Sequence, residues 1–163
     1  MGEKRLPQSP KEGFAYGSII CLITVIIMLI INVGTAFGNL GGETWLAILK
    51  SIPLIWVVAM ALESLLVGRI GNKLVTVFSE PQDGFNAKIL FNILFVVTIM
   101  SATMSIIGPL LSGESFTQVI SEFPAHWPRN FCAAFWCEVL LAQPAARKVM
   151  KQWHIHKEKL ANE

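Results

Sequence analysis

Glu63 and Glu138 are the residues of this 163-residue chain best able to do chemistry. Each is the only charged residue in an apolar stretch, Ser51 to Gly68 for the first and Asn130 to Ala146 for the second. A carboxylate in a membrane span is costly unless it is paired, hydrated or protonated. Helical spacing aligns Trp56, Ala59 and Glu63 on one stripe and Phe131, Ala134 and Glu138 on another. The alanine one turn from each glutamate lets a neighbouring backbone approach closely.

Two chemistries follow. The leading reading makes each glutamate a structural hydrogen-bonding group, with Ser18, Cys21 and Thr24 in the first span and Asn92 in the third as polar partners at the right depth. The alternative is a pair of proton-titratable or cation-binding carboxylates facing one cavity, as in a small coupled transporter or channel. Nothing resembles a phosphate-binding glycine loop, a nucleophile with its base, or a closed zinc-ligand set, so neither enzyme activity nor a cofactor is expected. His154 and His156 lack nearby further ligands for a metal. Cys21, Cys132 and Cys137 fall inside spans in no redox or metal spacing and read as reduced packing residues.

The elements that must hold these glutamates are set by composition. With 53% hydrophobic and 15% charged residues, the chain has too little polar surface to coat a soluble domain of its size. No charge occurs between Glu12 and Glu43 or between Lys88 and Glu114, and both intervals exceed the roughly 20 residues that a helix needs to cross a bilayer. The two stretches around the glutamates are just long enough. Runs such as Ile26 to Ile31 lack the alternation of a membrane barrel strand, so all four segments are expected to be helical. A secretory signal ending near Gly34-Thr35-Ala36 is the competing reading of the first segment, but its apolar run is long for one.

Basic residues orient these spans. Lys4, Arg5 and Lys11 precede the first, Arg69, Lys73 and Lys88 lie between the second and third, and Arg147, Lys148, Lys151, Lys157 and Lys159 follow the fourth. Only Lys50 and Arg129 lie in the other two loops. That asymmetry places both termini and the central loop in the cytoplasm of a bacterial cell, with the chain in the inner membrane. The bilayer is the expected partner and nucleic acid is not. A homo-oligomer is left open by the sequence.

The segment from Pro53, PLIWVVAMALESLLVGRIGNKLV, aligns without a gap to the segment from Pro128, PRNFCAAFWCEVLLAQPAARKVM. The rare features coincide: a proline at the entry of the helix, a glutamate ten residues later, and a basic cytoplasmic exit at Lys73 and Lys148. The odd-numbered spans align more loosely, Gly13-Phe14 with Gly84-Phe85 and Gly42-Glu43 with Gly113-Glu114, which requires about four extra residues around Phe123 to His126. The expected fold is therefore all-α, a polytopic bundle of four transmembrane helices from two hairpins of parallel orientation related by an axis along the membrane normal. Its parts are a cytoplasmic segment 1–12, a first repeat 13–75, a linker 76–83 marked by Pro81, Gln82, Asp83 and Gly84, a second repeat 84–150, and a basic tail 151–163.

The stretch NFCAAFWCEVLLAQPAARKVM, with its proline before, its central glutamate and its basic end, resembles the small bacterial membrane proteins grouped as domain of unknown function 2798. Members are typically single two-span hairpins, and this chain is similar to two of them in tandem over about residues 13 to 150. The resemblance implies a membrane hairpin and no activity. The first copy departs from the second in having Gly68-Arg69 where the second has Gln143-Pro144.

Among the remaining polar residues, Thr98, Ser101, Thr103 and Ser105 read as helix-packing contacts, with Ala102 among them, and Asn32, Gly34 and Gly38 as the end of the first helix. Trp45 and Trp127 are expected in external loops and Trp153 in the tail, as interfacial anchors. The tail from Arg147 to Lys159 is expected to be solvated or to lie against anionic lipid.

Overall fold

The computed structural model describes residues 6–161 except 81 and 83. Lys4, Arg5, Pro81 and Asp83, invoked above for orientation and for the linker, lie outside the described residues. Six α-helices and two π-helical segments follow one another: α1 Pro10–Phe37, α2 Gly42–Leu62, a π segment Glu63–Val67, α3 Gly68–Phe78, α4 Phe85–Leu111, α5 Phe116–Cys137, a π segment Glu138–Ala142 and α6 Gln143–Ala161. Because each π segment joins its neighbours without a break, the chain forms four long rods. Pro10–Phe37, Gly42–Leu65 and Asn86–Leu111 are long and apolar enough to cross a membrane.

Local chemistry sets the ends of the rods. Ser9 caps α1, its Oγ accepting from Glu12 N–H at 3.3 Å, while the Gln8 N–H donates back to Glu12 Oε2 at 2.8 Å. Pro10 opens the helix, where its missing N–H costs nothing. At the far end Gly38 takes φ +68°, and after α4 Gly113 takes φ +93°. Glu114 N–H reaches Pro109 C=O and Gly113 N–H reaches Leu110 C=O, the paired bonds that close a helix around a left-handed glycine. Both turns thus reverse the chain within a few residues.

The rods pack as a ring. α1 runs along α2, α3 lies on α4, α4 runs along α5, and α5, the second π segment and α6 return to α1. Ile93, Val97 and Ala134 form the buried contact between α4 and α5, with Met28 of α1 packed against them. Gly71 permits the close crossing of α3 over α4, since a Cβ there would lie 2.9 Å from Val96 Cγ2. Large apolar side chains face outward instead, among them Leu49, Leu54, Val57, Leu90, Trp136 and Leu140, each more than half exposed. That inside-out pattern suits an apolar surround.

Several expectations need correction. Pro53 and Pro128 do not begin their helices: α2 and α5 start at Gly42 and Phe116, and the prolines sit within them. A helix tolerates an interior proline when its neighbours re-satisfy the freed carbonyl. Trp45 and Trp127 consequently lie on helices and not in loops, and Phe123 to His126 form part of α5 and no inserted loop. The tail from Lys151 is helical and not irregular, since α6 continues to Ala161; Lys151, Gln152, Trp153, Ile155, His156 and Lys157 are exposed and His154 is buried.

Candidate functional site

Glu63 and Glu138 each occupy the first position of a π segment. In the wider turn the backbone N–H of the fifth residue onward reaches the glutamate carbonyl, from Gly68 to Glu63 and from Gln143 to Glu138. Such bulges insert one extra residue and reorient the helix beyond it, and they recur at functional sites. They also stack residue i on i+5, which a regular α-helix does not.

The consequence differs between the two. Gln143 Nε2 donates to Glu138 Oε1 at 3.3 Å, and Gln143 Oε1 accepts from the Tyr16 hydroxyl at 2.7 Å. Glu138 is 8% exposed, so this chain of bonds links a buried carboxylate to the start of α1. Glu63 has Gly68 in the corresponding place, and the space that a Cβ would fill there is bordered by Glu63 Oε1 at 3.7 Å. No side chain among the described residues hydrogen-bonds Glu63. It is also more open than Glu138 and lies two residues from the end of the apolar segment Gly42–Leu65.

Glu63 lies within electrostatic reach of Glu138, and both reach the Cys21 thiol of α1. Of the expected partners Cys21 lies within that reach, with no hydrogen bond to either glutamate among the described residues. Ser18 instead meets Met60 Sδ at 4.0 Å, and among the described residues buried Thr24 Oγ1 has no hydrogen-bond partner and Asn92 bonds neither glutamate. Tyr16 and Gln143 are the partners that sequence reasoning missed.

Beside Gln143, the partner of Glu138, lies a crevice of about 190 Å³ between α4 and α6, lined also by Arg147. At the opposite end of the bundle Ser101 and Ser105 of α4 bond α5, whereas Thr98 and Thr103 donate to carbonyls of their own helix. Trp127 Nε1 donates to Ser101 Oγ at 3.2 Å and Asn130 Nδ2 to Ser105 Oγ at 2.9 Å. Arg129 Nη2 donates to Asn32 Oδ1 at 2.8 Å, tying α5 to α1.

The end of the bundle that carries both termini is closed by a third polar cluster. Glu12 Oε2 lies 3.0 Å from His154 Nε2, and Lys157 Nζ donates to Glu12 Oε1 at 3.2 Å. Glu12 thus caps its own helix and holds α6. No group of three metal-ligating side chains occurs among the described residues.

The match to known families starts at the first residue of α4 and ends at His154. Residues 85–154 match the family described as Domain of unknown function (DUF2798). The DUF2798 unit therefore comprises α4, α5, the Glu138 π segment and most of α6, and it contains Glu138, Gln143 and Arg147. No curated protein and no solved structure matches the chain.

Proposed function

We propose that this chain is a four-span membrane protein, built from two like-oriented hairpins of the DUF2798 kind, that binds a proton or small cation between Glu63 and Glu138 without catalysing covalent chemistry. The observation that carries this reading is that two glutamates each open a π segment within a long apolar rod, with the charge of Glu63 felt at Glu138. Two carboxylates sharing an apolar interior repel each other, and a shared proton or an intervening cation relieves the repulsion.

Element positions support the pairing of hairpins. α4, the Glu138 π segment and α6 each begin 75 residues after α1, the Glu63 π segment and α3, and α5 begins 74 after α2. The left-handed glycines Gly38 and Gly113 keep the same 75-residue spacing. That register supersedes the looser pairing of Gly42-Glu43 with Gly113-Glu114 and needs no extra residues. The fourth span is the rod through Asn130 to Ala146, whose single charge is hydrogen-bonded and whose Trp136, Leu140 and Leu141 are exposed. Basic residues at the ends of the first and last rods and between the hairpins support a cytoplasmic location of both termini at a bacterial inner membrane.

The test is proton flux into liposomes holding the purified chain and a pH-sensitive dye. Wild type is expected to carry a pH-driven flux that the double change Glu63→Gln, Glu138→Gln reduces at least tenfold. Flux that survives the double change rejects the carboxylate mechanism. A structural role is favoured for Glu138 alone by the Tyr16–Gln143–Glu138 bonds, which tie α1 to α6. In that case Glu138→Gln would weaken folding and Glu63→Gln would change nothing.

A further inference from the structure

The crevice between α4 and α6 has two kinds of wall. Ile89, Leu90, Ile93 and Val139 are apolar, whereas Asn86 and Arg147 are polar. It opens to the bundle surface where Leu90 and Pro144 are exposed, so its mouth faces the surround of the bundle and not its axis. The Nε of Arg147 is buried and has no hydrogen-bond partner among the described residues. The guanidinium also neighbours the Tyr16 hydroxyl, a neutral group. Its charge is therefore incompletely satisfied by the protein, and an anion entering the crevice completes it.

We infer that this crevice is a binding site for an anionic phospholipid, with the phosphate on Arg147 and Asn86 and an acyl chain over Ile89, Leu90, Ile93 and Val139. The inference rests on the four-span reading, which puts the crevice in the cytoplasmic leaflet. Basic pockets between helices on that side suit anionic headgroups. The guanidinium fork matches phosphate oxygens, and the apolar wall gives an acyl chain more contact than free phosphate could use. A crevice of about 190 Å³ holds the phosphate and a few methylenes, leaving the remaining chain along the exposed face of α4. Gln143 forms part of the wall, so the lipid would border the residue that holds Glu138.

Native mass spectrometry of the full chain tests this with phosphatidylglycerol, phosphatidylcholine of the same acyl chains, and inorganic phosphate as competitor. Wild type is expected to retain phosphatidylglycerol about tenfold over phosphatidylcholine, scaled on one charge-assisted contact. Arg147→Gln is expected to remove that preference, and Lys148→Gln, an exposed neighbour, to leave it. Leu90→Trp fills the mouth with the charge in place, and it is expected to lower phosphatidylglycerol retention even where Arg147→Gln fails to fold. Equal retention of the two lipids by wild type, a preference that survives Arg147→Gln, or displacement by inorganic phosphate alone would each overturn the lipid site. Loss of lipid preference with intact proton flux separates this failure from failure of the carboxylate reading.

Discussion

Gln143 Nε2 lies 3.3 Å from Glu138 Oε1, across the five-residue turn that the π segment creates. After the Glu63 π segment Gly68 stands at that place and supplies no side chain. The two glutamates are therefore matched in backbone and unequal in partners, one tethered and the other free to respond.

The tether predicts an asymmetry of stability. Gln143→Leu leaves a buried carboxylate and the Tyr16 hydroxyl without their shared partner. It should destabilise the bundle by about 1–3 kcal/mol, the cost of an unsatisfied buried polar group. Gly68→Ala should destabilise by a different route, since its Cβ would meet the Glu63 carbonyl oxygen at 3.0 Å. Thermal unfolding in detergent measures both. An unchanged midpoint for Gln143→Leu would show that the bond contributes nothing.

Gly71 sets how closely α3 approaches α4. Gly71→Ala brings a methyl to 2.9 Å from Val96 Cγ2, and overpacking of that kind costs roughly 1–3 kcal/mol. Val96→Ala made together with it should recover most of the loss. Non-additivity in that double-mutant cycle is the measurement, and strict additivity would deny the contact.

Glu12 holds the end of α6 through His154 and Lys157. Glu12→Gln keeps the shape and removes the charge, so the last turns of α6 should open more often while α4 and α5 remain protected. Amide hydrogen exchange read by mass spectrometry should show faster exchange around His154 in the variant. Equal exchange in the two proteins would leave the contact without a role.

The topology makes a prediction of its own. Single cysteines at Asn39 and Ser112, in the two helix-reversing turns, should react with a membrane-impermeant maleimide from outside the cell once the native cysteines are replaced. A cysteine at Gln82 should react only after the membrane is opened. A reporter fused after Glu163 should lie in the cytoplasm, whereas a three-span chain would place it outside.

Much of this architecture was legible in the sequence for one reason. A charge within a long apolar run is rare, so Glu63 and Glu138 announced themselves, and the apolar runs around them fixed an all-helical chain. The partners did not. Gln143 is five residues from Glu138, a spacing that regular helical periodicity places on another face, and only the π turn stacks the two. Tyr16 and the Glu12–His154 contact depend on how α1 meets α6, 127 and 142 residues apart in sequence. Pro53 and Pro128 misled in the opposite direction, because a proline reads as a helix boundary in water and is tolerated inside a membrane helix.

The central claim is that Glu63 and Glu138 form one protonatable or cation-binding pair. Infrared difference spectra of the reconstituted protein, recorded across a pH titration, detect carboxyl groups gaining and losing protons directly. Subtracting the double variant's spectra from those of wild type cancels the bands of the other acidic side chains, and the expected remainder is a titrating carboxyl band that Glu63→Gln or Glu138→Gln alone shifts as well as weakens. A wild-type titration identical to that of the double variant, or two bands that the single changes remove independently of each other, would contradict the pair.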